Sequence, residues 1–439
     1  MTTGRTRSQE LYDRALKVMP GGASRNTILR RPHPLYVERG EGSRVFDVEG
    51  VERIDFANNM ASLIHGHAHP AIVGAVTEQL NKGTAFTLGT EREIQYAEHM
   101  VRRAESFSKI RFVNSGTEAV MACLKASRAF TGRPKIAKVE GAYHGLYDFA
   151  EISQTAKPST WGDPSRPVSV PVAYGTPQGV LDDVIVIPFN DSLRAKEILD
   201  EHAHEIACVL VDPVPHRVGL IPVEKEFLRT LREWTASNGS LLVYDEVITF
   251  RVTYGGVQEK HGIRPDLTAM GKMIGGGFPV GAIAGRGEVM DVMDPLADNV
   301  LFPHSGTFSA NPITMTAGYT AMKLYDREAV QRINNLANRA RSQIRDAIAV
   351  ADVTACITGA GSMLRVHFKP EPPREYRSSF MGPDEAVMLK AFLDHLLDNG
   401  IIMINTGTVM LSTVMTEYEI DRLSQAMLEG FRRVRELST

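Results

Sequence analysis

No stretch of this sequence approaches the roughly 18–20 uncharged apolar residues that a membrane span requires. The first twenty residues, MTTGRTRSQELYDRALKVMP, carry no apolar core of signal-peptide length, so the expectation is a cytoplasmic protein. Net charge is almost absent as well: 49 Lys and Arg against 52 Asp and Glu leave −3. Such a balance offers no attraction to nucleic acid or to an anionic membrane. Cysteines number three, Cys123, Cys208 and Cys356. Odd in number, far apart and set in apolar runs, they read as reduced core residues rather than a disulfide framework. Repeats and long low-complexity segments are missing. What remains is ordinary globular composition, 43% hydrophobic and 23% charged, over 439 residues. That length suits two or three domains.

One stretch, Ser240 to Gly277, organises the rest. The apolar run Leu241-Leu242-Val243-Tyr244 ends abruptly in Asp245-Glu246, which suits a buried strand of a parallel sheet. A carboxylate at the C-terminal end of such a strand sits where open α/β sheets place their ligands. Lys272 follows twenty-seven positions after Asp245, between Gly271 and Gly275-Gly276-Gly277. Among glycines and apolar residues a lysine loses its proton cheaply, because desolvation disfavours the ammonium form. A neutral amine near a buried acid is what pyridoxal phosphate (PLP) chemistry needs. The lysine forms the Schiff base, and the acid keeps the pyridinium nitrogen protonated so that the ring acts as an electron sink.

Asp245-Glu246-Val247, Pro265-Asp266-Leu267-Thr268 and Gly271 through Ala282 follow in order. This series resembles the class III aminotransferases, in the branch that contains glutamate-1-semialdehyde aminomutase and the β-amino-acid aminotransferases. The resemblance spans roughly residues 10–435. It implies an α/β fold, the PLP-dependent transferase fold type I, with a mostly parallel central sheet flanked by helices. The large PLP-binding domain is expected at 70–315, with a smaller α+β domain assembled from 1–69 and 316–439.

Ile110-Arg111-Phe112-Val113 reads as a strand, followed by Asn114-Ser115-Gly116-Thr117-Glu118-Ala119 at the head of a helix. Free N–H groups and the helix dipole there suit a phosphate, although a plain Ser/Thr cap has the same look. The family's N-S-G-T-E-A assigns Ser115, Gly116 and Thr117 to the PLP phosphate. In the matching E-G-x-Y-H-G, Tyr143 stacks on one face of the ring and Val247 presses the other. His144 is either a hydrogen-bonding neighbour or merely packed. His304 through Pro312 matches H-x-G-T-[FL]-x-x-N-P, in which the threonine reaches the phosphate of the other subunit. Thr307 therefore implies a homodimer with shared sites.

Arg25, nine positions before Pro34-Leu35-Tyr36, matches the family's receptor for the substrate carboxylate, a pairing that suits a guanidinium fork; the alternative is a solvated arginine. Arg30 and Arg31 are weaker rivals. Arg217 is either a second carboxylate receptor or a solvated charge. His65, His67 and His69 alternate as metal ligands on a strand would. No acidic or cysteine cluster accompanies them, and the family uses G-H-x-H-P as a turn, so no metal is expected.

Four departures stand out. Met60 replaces the aminomutase branch's tryptophan. Ile248-Thr249-Phe250-Arg251 lacks a glycine of the family pattern, Thr406-Gly407-Thr408 lacks an arginine, and Asp212-Pro213 stands where relatives have Glu-Pro. Residues 152–183, rich in Pro, Gly and Ser, read as a long surface insertion, a lid or an interface arm. The expected activity is a ping-pong aminotransferase that moves an amino group from a carboxylate-bearing amino acid, or an amine, to a keto acid. Lys272 would be the acid/base and Asp245 the pyridinium partner. The alternative is glutamate-1-semialdehyde 2,1-aminomutase, which moves the amino group within one molecule. A racemase and a non-catalytic PLP-fold protein rank lower.

Overall fold

The computed structural model of the protein describes residues 5–438. Seven strands form the central sheet: β1 (Lys109–Val113), β2 (Lys135–Val139), β3 (Val184–Ile187), β4 (Ile206–Val211), β5 (Leu241–Asp245), β6 (Leu267–Gly271) and β7 (Gly281–Gly285). Their spatial order is β1-β7-β6-β5-β4-β2-β3. All run parallel except β7, which is antiparallel to both β6 and β1. Every residue of β4, β5, β6 and β7 is buried. These strands are near-continuous apolar runs because helices cover both faces of the sheet.

Helix α1 (Gly116–Thr131) lies on one of those faces. Ser115 caps its start and Gly132, at φ 70°, ends it. A second long helix, α2 (Pro312–Leu324), begins at Asn311, whose side chain accepts from the Thr314 N–H. Its close approach explains two glycines: a Cβ on Gly276 would stand 2.4 Å from the Ala317 carbonyl, and one on Gly318 2.3 Å from that of Ile274.

Both ends of the chain build the smaller α+β part. Val37–Glu41, Arg44–Asp47 and Glu52–Asp55 form an antiparallel meander, and Ile401–Ile402 joins it in parallel beside Glu52–Asp55. A three-stranded sheet contains Cys356–Thr358, Met363–His367 and Thr408–Met410. The C-terminal helix runs Glu417–Ser438. A further helix runs Glu91–Val101. Its cap is Thr90, and the chain turns at 102–103 so that the buried Arg103 guanidinium can donate to the carbonyls of Tyr254, Met322 and Tyr325.

Segment 152–183 is not a structureless surface loop. Ile152, Ser153, Gln154 and Ala156 are buried, a short hairpin joins Gly162–Asp163 to Arg166–Pro167, and Gln178–Asp182 is helical. Arg377 pins it, donating to the carbonyls of Trp161, Gly162 and Asp163 while pairing with the buried Glu140 carboxylate at 3.0 Å. Tyr376 adds a hydrogen bond to the Ala156 carbonyl at 2.8 Å.

Candidate active site

A cavity of about 400 Å³ opens at the C-terminal ends of β1, β2, β4, β5 and β6, as the parallel topology dictates. Asp245 closes β5 and is buried. Its Oδ2 lies 2.7 Å from His144 Nδ1, and its Oδ1 accepts from the Val247 N–H at 3.0 Å. Burial lowers the His144 pKa. A carboxylate only accepts, so Nδ1 is the protonated nitrogen of the neutral ring. The other nitrogen, Nε2, is buried and unpartnered. Asp212 ends the neighbouring β4. Burial, reinforced by the Asp245 charge, pushes its carboxyl well above the ordinary carboxylate range.

Lys272 leaves β6 with φ 49°, a conformation that costs a non-glycine residue on the order of 1–3 kcal/mol. Burial pushes its amine below the ordinary lysine range, while Asp245 and Asp212 pull it back up. On the opposite side the first turn of α1 borders the cavity. Ser115 Oγ accepts from the Glu118 N–H at 3.1 Å, and the Glu118 carboxylate accepts from the Asn114 N–H at 2.7 Å. The remaining first-turn N–H groups lack helical partners, and with the dipole they make an anion cradle. Its surroundings leave no room for a Cβ at two glycines. A Cβ on Gly116 would lie 2.9 Å from Val247 Cγ1, and one on Gly145 2.5 Å from Thr117 Oγ1. The loop after Val247 absorbs its missing residue in a short turn, Thr249–Val252, so Val247 still packs against Gly116 and Gly271.

Ser115, Gly116, Thr117, Tyr143, Asp245, Val247 and Lys272 thus line one cavity. Arg25 lines a second, larger chamber of about 1200 Å³ that shares Asn59 and Gly277 with the first. Arg217 and Thr307 are absent from both linings. The Arg217 guanidinium carbon lies 5.1 Å from the Tyr143 ring centroid, and Thr307 is exposed. The hydrogen-bonding reading of His144 holds, while Asp212, Asn59 and Ser62 were given no role from the sequence. His144 adjoins Tyr143, and Asp212 ends an apolar strand as Asp245 does, so both carried a readable signal. Asn59 and Ser62 carried none. His65 and His67 are held by hydrogen bonds to Thr413, the Ala321 carbonyl and Asp55. Among the described residues no group of three or more His, Cys, Asp or Glu is placed to hold a metal ion, and no helix is long and apolar enough to cross a membrane.

The family described as Aminotransferase class-III matches residues 28–434. The chain belongs to the class III aminotransferases. It is 36% identical over 428 residues to a glutamate-1-semialdehyde 2,1-aminomutase of Archaeoglobus fulgidus, covering 97% of this chain and 99% of that one. The structure superposes on an ω-transaminase from Sphaerobacter thermophilus with a TM-score of 0.96, at 44% identity and 98% coverage of both chains. It also superposes on a transaminase with PLP bound, with a TM-score of 0.90, at 43% identity and 97% coverage of both. The aminotransferase cofactor is PLP, and this cavity suits it. The cavity offers a buried amine, an acid braced by a histidine, and an anion cradle bordered by glycines whose neighbours leave no room for a Cβ.

Proposed function

We propose that this class III aminotransferase moves an amino group from a carboxylate-bearing donor to a separate keto acid. The observation that carries the reading is the placement of the buried Lys272 amine in one cavity with the Asp245–His144 pair. Lys272 would bond the cofactor, Asp245 would hold its ring nitrogen, and Ser115, Gly116 and Thr117 its phosphate. Tyr143 and Val247 would flank the ring. When bound, PLP supplies the electron sink that stabilises negative charge on the donor's amine-bearing carbon. With PLP bound, Lys272 Nζ would take the proton from that carbon, hold it as an ammonium and deliver it to the cofactor side of the new bond. Burial shifts this amine toward its neutral, proton-accepting form. Arg25 is the donor's carboxylate receptor, and Arg217 a second one at the Tyr143 rim.

The enzyme works as a homodimer in which Thr307 serves the neighbouring subunit's phosphate. Exposure of Thr307 and of the large apolar side chains Leu88, Leu296 and Phe308 supports this. Three free cysteines suit a reducing, cytoplasmic setting.

Curated relatives at 35–38% identity carry the aminomutase name and support the mutase reaction, whereas 44% identity to the ω-transaminase supports transfer between two molecules. Met60 points the same way. Borohydride reduction and peptide mapping should label Lys272; a label elsewhere sinks the site assignment. A panel of amine donors with pyruvate and 2-oxoglutarate should show strict dependence on an added acceptor. Full turnover of glutamate-1-semialdehyde with no acceptor would establish the mutase instead.

A further inference from the structure

Residues Asn58, Asn59, Met60 and Ala61 have φ of 46°, 46°, 57° and 74°. Left-handed conformation is normally confined to single residues, so four in a row are stored strain, held in place by their surroundings. The restraints are visible. Asp55 Oδ1 accepts from the N–H groups of Ala57 and Asn58 at 2.8 and 3.0 Å. Asn58 Nδ2 donates to the Met410 carbonyl at 2.6 Å, and the Ala61 N–H donates to Ala57 at 3.1 Å. This turn carries Asn59 to the partition where the 400 Å³ cavity meets the 1200 Å³ chamber.

There Asn59 Oδ1 accepts from Arg25 Nη1 at 2.7 Å, and its Nδ2 donates to Ser62 Oγ at 3.0 Å. A guanidinium only donates, so the amide orientation is fixed by both partners. Nearby Arg30 is neutralised by Asp394 at 2.7 Å. Among the described residues no carboxylate lies within salt-bridge range of Arg25, and its side-chain partner is a neutral amide. Such an arrangement orients a cation without discharging it.

We propose that Asn59 is a positioning residue that sets donor class. It holds the Arg25 guanidinium at the partition as an unpaired charge, so the enzyme prefers amines bearing a carboxylate to amines without one. The proposal rests on the reading of Arg25 as carboxylate receptor, and the test separates the two. The measured quantity is a ratio: kcat/KM for a carboxylated donor accepted by the wild-type holoenzyme, over kcat/KM for the same amine lacking the carboxylate. Asn59→Asp replaces the amide with a charge that occupies Arg25 from within, and Asp tolerates the left-handed region as Asn does.

The ratio should fall at least about 30-fold in Asn59→Asp, through KM of the carboxylated donor, as expected for lost uniform binding. Arg25→Ala should lower it comparably, and the double variant no further. Asn59→Gly, which keeps the backbone but removes the acceptor, should lower it by a smaller factor and guards against a folding defect in the first variant. Equal losses for both donors would make Asn59 merely structural. An unchanged ratio in Asn59→Asp beside a collapsed one in Arg25→Ala would overturn the Asn59 role while keeping Arg25. An unchanged ratio in Arg25→Ala would overturn the receptor assignment itself.

Discussion

Lys272, Asp245, Asp212 and Thr117 stand at strand ends or on the first turn of α1, on a sheet whose central strands are wholly buried. Arg25, Asn59 and Met60 lie on loops near the N-terminus and are backed by segments from the other end of the chain, such as 401–405. The first region positions chemistry with rigid elements; the second positions a charge with one hydrogen bond and a strained turn. The contrast implies that perturbing the cofactor side costs turnover across all donors. Perturbing the donor side changes which donor is used.

The sharpest way to break that contrast is Lys272→Ala. Loss of both roles proposed for Lys272, covalent attachment and proton transfer, should lower kcat by at least ~10⁴ for every donor, about 5.5 kcal/mol of barrier. Single-turnover assays check it, with exogenous amines as rescue of the proton-transfer role. A loss confined to carboxylated donors would dissolve the distinction between the two regions.

Asp245→Asn comes next. It keeps the shape and the Val247 N–H contact but removes the charge proposed to hold the ring nitrogen. Turnover should fall on the order of 10²–10³ for all donors. His144 loses its carboxylate partner in this variant, so His144→Gln should reproduce part of the deficit. Steady-state kinetics on both variants, with equal cofactor loading, decides it.

The two regions also differed in how legible they were. The cofactor side could be read because each of its residues belongs to a short run whose local structure is dictated nearby. An apolar strand ends in an acid, a Ser-Gly-Thr opens a helix, and a lysine sits among glycines. Packing explains those glycines in three dimensions, since α2 leaves no room for a Cβ at Gly276. The donor side could not be read this way. Nothing in Asn58-Asn59-Met60-Ala61 announces a left-handed turn, because the restraints come from Asp55 and from Met410, some 350 residues away. The pinning of 152–183 escaped for the same reason: Arg377 reaches it from the far end of the chain.

That pin gives the third prediction. Arg377→Met leaves Glu140 buried without its partner and frees the carbonyls of Trp161, Gly162 and Asp163. Breaking a buried pair on one side costs about 3 kcal/mol, measurable by chemical denaturation. Limited proteolysis should then cut within 152–168 first. Because Glu140 opens the loop that carries Tyr143 and His144, this variant should weaken cofactor retention without altering donor preference.

The smallest effect tests the seam between the two regions. Burial lowers His65 to a pKa of about 4 and both His216 and His367 to about 3. His216 meets Thr406 and His367 meets the Gly219 carbonyl, so these two join the small α+β part to the segment after β4, while His65 meets Thr413 within the small part. A base whose folded pKa is depressed stays neutral in the native state while the unfolded chain takes a proton. The stability it contributes is complete above pH 6.5, and it declines as pH falls from there toward about 4 for His65 and about 3 for His216 and His367. Thermal melts should therefore lose a few degrees between pH 7.5 and pH 5. Burial raises Asp212 and Glu246, the latter to about 8. Raised acids bind more protons when folded, so they work against the trend on acidification. A melting temperature that rises toward pH 5 would mean these carboxyls outweigh the seam histidines, and that the junction between the regions is not where acid first acts.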